Sequence, residues 1–187
     1  LVFALFRIIY ILRTDRNGNK SGFDSSYMVF SAGCVSIGIV IVLMYLYQTH
    51  FGSLYQHIGV VSSMFMVGLT IGAVIIRHLL TNDSKVQPEK LLFLVIFIHS
   101  LILGTIAFWP TEQLTHSLFG VAFILSGLCA GSYFPIATRQ LSDIAFENSR
   151  IGSKLETADH IGASAGGLLT SLALVPVLGT QIIPLVF

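Results

Sequence analysis

The chain has 187 residues, of which 54% are hydrophobic and only 10% are charged. A soluble domain typically carries about 25% charged residues because its surface must face water, so this composition excludes a water-soluble globular fold. Lys and Arg number 10 against 9 Asp and Glu, which excludes a nucleic-acid-binding protein that depends on a strong basic excess. The two cysteines lie in apolar runs and indicate neither a disulfide framework nor a zinc site. The composition predicts an integral membrane protein.

The first apolar segment, residues 1–12, is interrupted only by Arg7. About 20 apolar residues are needed to cross a hydrocarbon core of about 30 Å, so this segment is shorter than a complete span. It also lacks the basic start and the small-residue cleavage site of a signal peptide. We therefore expect a truncated first membrane helix, and the apolar stretch at the other end of the sequence predicts a truncated C-terminal end.

Five further apolar runs are long enough to cross a membrane. They are residues 27–49, 58–79, 91–109, 117–137 and 159–180. Each is predicted to be an α-helix, because a single segment in lipid must satisfy its backbone hydrogen bonds internally. The alternating strands of about ten residues that are typical of a membrane barrel do not appear in the sequence. The sequence thus predicts one all-α transmembrane domain over residues 1–187, a bundle of about six helices.

The basic residues alternate between the connections. Three fall in each of the segments 13–26, 77–90 and 138–158, and none falls in 50–57 or 110–116. The positive-inside rule places the connections that carry Lys and Arg in the cytoplasm. We therefore predict that these three segments are cytoplasmic.

The segment 138–158 has a mixed character. Apolar residues such as Leu141, Ile151 and Leu155 recur at roughly helical spacing among charged ones. This pattern is typical of an amphipathic helix that lies in the membrane interface. A solvated loop with one helical turn is the alternative interpretation.

Glycine spacing predicts how the helices pack. Three Gly-x-x-x-Gly pairs occur, and they are Gly68/Gly72, Gly127/Gly131 and Gly162/Gly166. In lipid, where burial of apolar surface does not drive association between helices, small residues allow the close backbone approach that does. The pairs predict a compact bundle around the spans 58–79, 117–137 and 159–180. The alternative is that glycine is simply more frequent in membrane helices.

Two prolines fall near predicted span ends. Pro135 lies near the inner end of the span 117–137, and Pro176 lies near the outer end of the span 159–180. Proline removes a backbone donor and clashes one turn back, so each position predicts a kink or a helix end. A role in gating is the alternative.

Ionisable residues at membrane depth are candidates for function, because burying them in lipid is costly. Asp159 and His160 begin the span 159–180, with Glu156 one turn earlier. The three predict a polar site at the cytoplasmic mouth, unless Asp159 is only a helix cap. His99 lies in the middle of the span 91–109, and it is predicted to bond to a neighbouring helix or to serve as a ligand.

Histidine also raises the question of haem, whose iron accepts axial imidazoles. His78 and His160 are the one pair at matching depth on different predicted spans. Haem at this pair is therefore an alternative to the main expectation, which is that the chain holds no cofactor and no metal. The sequence contains no recognisable nucleophile–base pair, phosphate-binding loop or metal-binding motif, so no catalytic residue is predicted.

Two stretches carry a family resemblance. One is HFGSLYQHIGV at 50–60, which continues into MFMVGLTIGA at 64–73, and the other is GSYFPIA at 131–137, followed by ADHIGASAGG at 158–167 and LVPVLG at 174–179. Together they resemble the membrane domain of bacterial spermidine synthase-like proteins. The resemblance implies a multispan bundle in a bacterial inner membrane, joined to a cytoplasmic aminopropyltransferase-type domain. It also implies that the catalytic acids and the nucleotide-binding loop belong to that soluble domain, which these residues do not match.

Three functions remain open from the sequence. The leading hypothesis is a non-catalytic membrane scaffold that anchors a cytoplasmic domain or serves as a subunit of a larger complex. The second is a carrier for a small molecule, such as a cation attracted by Asp159 and Glu156. The third is a redox subunit that holds haem or quinone at His78/His160 or at His99. The expected partners are the lipid bilayer and other protein subunits, without nucleic acid.

Overall fold

The computed structural model describes residues 20–52, 54–82, 87–108, 115–142 and 148–177. They form five α-helices, α1 (Lys20–Phe51), α2 (Leu54–Asn82), α3 (Pro88–Phe108), α4 (His116–Ser142) and α5 (Asn148–Leu169), with a π-helical segment at Thr170–Leu174. No strand occurs among the described residues, and the predicted all-α class is confirmed for them. The predicted first helix, residues 1–12, lies outside the described part of the chain.

Four helices are long and apolar enough to cross a membrane. They are Phe23–Phe51, Tyr55–Asn82, His116–Ser142 and Ile151–Val177, with 27 to 29 residues each. At 1.5 Å per residue such a helix is about 40 Å long, more than the hydrocarbon core of about 30 Å. The prediction of a multispan membrane protein is confirmed. The prediction of about six spans is not, since α3 is not among the four and residues 1–19 are not described.

The segment 138–158 does not form a helix of its own. Its first residues complete α4, residues 143–147 are outside the described part, and its last residues form the beginning of α5. Leu141, Ile151 and Leu155 are buried together with Val29 and Ala137 in one apolar cluster. The apolar residues that suggested an interfacial helix therefore pack against α1 and α4.

The two prolines have different surroundings. Pro135 lies inside α4, which continues to Ser142, so of the two expected outcomes the helix end is wrong and the kink stays a prediction. Membrane helices tolerate internal proline when neighbouring groups satisfy the freed backbone. Pro176 follows the π-helical segment, in which the N–H of Val175 donates to the carbonyl of Thr170 five residues earlier. The wider π turn thus lies directly before the residue whose ring would crowd an α-helical carbonyl.

Helix α4 is central in the bundle. It packs on α2, α1 and α3, whereas α1 packs mainly on α5 and α4. The largest apolar cluster joins α1, α2 and α4 through buried residues that include Leu43, Phe65 and Phe123. The chain thus forms two close helix pairs, α2·α4 and α1·α5, which are joined by the contact between α1 and α4.

Candidate functional site

The α2·α4 pair is built on glycine from both helices. A Cβ added to Gly68 or Gly72 of α2 would overlap the backbone of α4 at Ile124 and Leu128, respectively. Reciprocally, a Cβ at Gly127 or Gly131 of α4 would overlap the backbone of α2, at Phe65 and at Leu69. The matched order of these contacts shows that the two helices run parallel. The two backbones are in contact because glycine, which has no side chain, occupies the crossing on both helices.

The α1·α5 pair also brings two helix backbones together through glycine, at different residues. A Cβ at Gly162 of α5 would overlap the carbonyl of Phe30 in α1, and one at Gly166 would overlap the carbonyl of Cys34. The prediction grouped Gly162 and Gly166 with α2 and α4. The structure places them on α1 instead, because the spacing of small residues defines a helix face but not the helix that covers it.

Asp159 lies inside this second interface. A Cβ at Gly33 of α1 would be 2.6 Å from Oδ1 of Asp159 and 2.7 Å from its carbonyl oxygen. Helix α5 begins at Asn148, about three turns before Asp159. The interpretation of Asp159 as an N-terminal cap is therefore wrong, and the half-buried carboxylate rests on the glycine surface of α1.

The other two residues of the predicted cytoplasmic site point elsewhere. Glu156 Oε1 and His160 Nε2 are 3.8 Å apart across one turn of α5, and their side chains are 70% and 74% exposed. The structure therefore does not bring Asp159, His160 and Glu156 together as one buried site. The first is in the α1·α5 interface, and the other two form an exposed pair.

His99 has a buried partner that the sequence did not indicate. Its Nδ1 is 3.1 Å from the hydroxyl of Tyr133 in α4, and both side chains are buried. Nε2 of His99 has no hydrogen-bond partner among the described residues. If Nδ1 donated to Tyr133, the phenol proton would be left unpaired as well. We therefore assign the bond as Tyr133 donating to Nδ1, which puts the ring proton on Nε2.

His99 and Tyr133 line a groove of about 460 Å³ between α1, α3 and α4. Its polar lining residues are Asp24, Tyr27, Ser31, His99, Ser100, Tyr133 and Gln140. Along α1 the groove extends from Asp24 to Val35, a separation of about 16 Å at 1.5 Å per residue. Since Asp24 is next to the start of the span at Phe23, the groove reaches about half of the hydrocarbon thickness.

The predicted haem pair has no shared interface. His78 accepts a hydrogen bond at Nε2 from Nδ2 of Asn82 at 2.9 Å, on an exposed face of α2. His160 is on α5, and the principal packing partners of these helices are α4 and α1, respectively. The packing thus keeps the two imidazoles on separate helix pairs. Quinone at His99 remains a prediction.

A second polar cluster lies where α1 ends and where α2 and α4 begin. The hydroxyl of Tyr47 is 2.8 Å from Nδ1 of His116, and Phe51 stacks on the His116 ring with a centroid separation of 3.8 Å. The ring of His57 is 5.8 Å from that of His116. The sequence analysis did not single out this cluster. One feature of the sequence could have indicated it. Histidine occurs in both connections that lack Lys and Arg, and aromatic residues accompany it in 50–57.

Comparison with protein-family models, curated proteins and solved structures found no match to this chain. In the part of the chain that the structure describes, no three His, Cys, Asp or Glu side chains converge on a point where they could hold a metal ion. The features of the described residues that bear on function are the two glycine interfaces, the groove and the histidine cluster.

Proposed function

We propose that this chain is a non-catalytic membrane domain, a scaffold that holds a cytoplasmic domain or partner subunits at the bilayer. The observation that carries the proposal is the reciprocal glycine packing of α2 and α4. Such contacts give a fixed crossing between helices in lipid, which is what a scaffold requires. The connections 77–90 and 138–158 would then face the cytoplasm of a bacterial cell, in agreement with their Lys and Arg residues.

The resemblance to the membrane domain of spermidine synthase-like proteins belongs to this proposal. It would account for a membrane body without catalytic residues, because the reaction would take place in an attached soluble domain. The buried side chains of the described helices support a membrane body that is separate from any catalytic domain. The core is dominated by apolar side chains, with Ser, Thr and His as its few polar members.

The test is to express the full-length protein, or its complex, with and without an intact bundle. Gly131→Leu should disrupt the α2·α4 crossing and lower the activity of an attached domain, or release a separate partner subunit from the membrane fraction, whereas Gly59→Leu should not. A Cβ at Gly59 meets no atom within 4 Å, so it is a matched control on α2. Full activity of the partner after reconstitution without this chain would contradict the scaffold.

A second candidate function is that of a carrier, favoured by the groove that reaches half-membrane depth from Asp24 to Val35. Substrate sites of carriers lie near this depth at helix interfaces, and a carboxylate at the mouth would favour a cation. In proteoliposomes, uptake of radiolabelled methylammonium should be lost in Asp24→Asn and retained in Ser63→Ala, a change on the exposed face of α2. Equal uptake by protein-free vesicles would contradict a carrier for this cation and leave the scaffold unaffected.

A further inference from the structure

We propose that the cluster at the junction of α1, α2 and α4 binds one soft monovalent metal ion, Cu(I) or Ag(I), through His57, Met64 and His116. These three side chains line a single cavity of about 150 Å³. The site is separate from the groove, because none of these three residues lines the groove.

The placement of the ligands follows from the helices. His57 and Met64 are seven residues apart on α2, and this spacing of two turns puts them on the same face. His116 is the first residue of α4, and α4 lies directly against that face of α2. Gly120 leaves room for the thioether, since a Cβ at that position would be 2.8 Å from Sδ of Met64.

The two imidazoles have the separation that a shared ion requires. With a metal–nitrogen distance of about 2.0–2.1 Å, each ring centre lies about 3.2 Å from the metal. Two such rings are about 5.2 Å apart at a tetrahedral angle and about 6.4 Å apart when they are opposed. The ring centroids of His57 and His116 are 5.8 Å apart, which is within this range.

Tyr47 and Phe51 hold the His116 ring in place. With an ion at Nε2, the proton of the His116 ring lies on Nδ1, which then donates to the Tyr47 hydroxyl oxygen across the 2.8 Å contact. A metal-binding histidine is almost always bonded at its other nitrogen, which fixes the tautomer and the ring orientation. Phe51 restricts the plane of the same ring by stacking on it at 3.8 Å.

The chemical character of the three ligand atoms determines which ion the site prefers. A thioether and two imidazoles are neutral ligands, and soft sulfur ligands favour Cu(I) over harder ions. Among the described residues that line the cavity there is no Asp, Glu or Cys. Because three neutral ligands leave the charge of the ion uncompensated, this ligand set favours a monovalent ion over Zn²⁺.

The first test is binding of Ag(I), and of Cu(I) supplied as its bicinchoninate complex, to the purified full-length protein in detergent. The buried thiols Cys34 and Cys129 would compete for these ions, so the measurement is repeated in a Cys34→Ala/Cys129→Ala background. We expect one ion per chain in both proteins, with Zn²⁺ unable to displace it. Binding that disappears when the two cysteines are removed would overturn the proposal.

The second test compares two methionines of α2. Met64→Leu should lower the affinity for Cu(I) by at least 10-fold, because the thioether is lost while the volume is kept. Met66→Leu changes an exposed side chain that does not line the cavity and should leave the affinity unchanged. Equal affinities of the two variants, or a zinc affinity as high as that for Cu(I), would overturn the assignment.

Spectroscopy and positioning variants keep the proposal falsifiable if a ligand variant misfolds. X-ray absorption at the copper edge of the wild-type protein should show one sulfur and two nitrogen neighbours, and a shell without sulfur would exclude Met64. Tyr47→Phe removes the bond to Nδ1 and should weaken binding by about 10-fold while keeping one ion per chain. An unchanged affinity in this variant would show that Tyr47 does not position the ligand.

Discussion

The α2·α4 and α1·α5 pairs both bring helix backbones into contact, but they differ in symmetry. The first pair has two glycines on each helix, and each of the four faces the backbone of the other helix. The second has Gly162 and Gly166 on α5, while Gly33 of α1 meets the carboxylate and carbonyl of Asp159. Both interfaces therefore have backbone against glycine on both sides, but only the second also contains an ionisable side chain.

This difference assigns separate roles to the two pairs. A backbone carbonyl cannot move away without bending its helix, whereas a side chain such as Asp159 can change rotamer. Helix α5 also leaves regular α-geometry at Thr170–Leu174, four residues after Gly166. We infer that α2·α4 is the rigid part of the bundle and that α1·α5 is the part that can adjust.

The largest expected effect comes from breaking the rigid pair. Gly131→Ala places a methyl group against the carbonyl of Leu69 and should lower the free energy of unfolding by about 3 kcal/mol. The matched change Gly59→Ala adds a methyl group where no atom lies within 4 Å. It should be neutral or stabilising by up to about 1 kcal/mol, as helix propensity predicts. Unfolding in a denaturing detergent measures both, and similar losses in the two variants would contradict backbone contact at Gly131.

A smaller effect is expected in the adjustable pair. Gly33→Ala should lower the free energy of unfolding by about 2 kcal/mol, because the new methyl group meets Asp159. In Gly33→Ala/Asp159→Ala the side-chain part of the clash is removed. A double-mutant cycle should therefore give a coupling of about 0.5–1 kcal/mol. Additive losses would show that only the carbonyl of Asp159 opposes the methyl group.

The sequence predicted helix faces better than it predicted partners. The small residues at Gly68/Gly72 and Gly127/Gly131 indicated surfaces of close approach, but spacing carries no information about the helix on the other side. Gly162 and Gly166 were grouped with the wrong helices for that reason. Only three-dimensional packing shows that they meet Phe30 and Cys34 of α1.

The sequence analysis placed residues 148–158 and the apolar span in separate elements, because charged residues precede the span, whereas the structure has one continuous helix. Arg150, Lys154 and Glu156 lower the hydropathy of the first turns, although Ile151 and Leu155 recur at a helical interval and are buried. The span therefore seemed to begin at Asp159, and the aspartate was interpreted as a cap. His99 was recognised from its depth alone, whereas its partner Tyr133 has no signal in the sequence, because a tyrosine in an apolar run is not unusual.

The hydrogen bond between His99 and Tyr133 in the groove can be compared with the glycine interfaces by its effect on the free energy of unfolding. Tyr133→Phe removes the proton donated to Nδ1 of His99 and leaves the buried imidazole without a partner among the described residues. The free energy of unfolding should decrease by about 1–2 kcal/mol. His99→Phe/Tyr133→Phe removes both polar groups and should be less destabilising than the sum of the single changes. A double variant that is as unstable as this sum would contradict a direct bond.

The smallest effect is expected at Glu156 and His160, which lie on either side of Asp159 in the sequence of α5. Both side chains are about 70% exposed or more, and Oε1 of Glu156 is 3.8 Å from Nε2 of His160. Exposed pairs of this kind contribute little because solvent screens them and two side chains must be ordered. Glu156→Gln and His160→Gln should each change the free energy of unfolding by no more than about 0.5 kcal/mol. A larger loss from either change, measured beside Asp159→Ala, would mean that the exposed face of α5 is covered by another part of the protein or by a partner subunit.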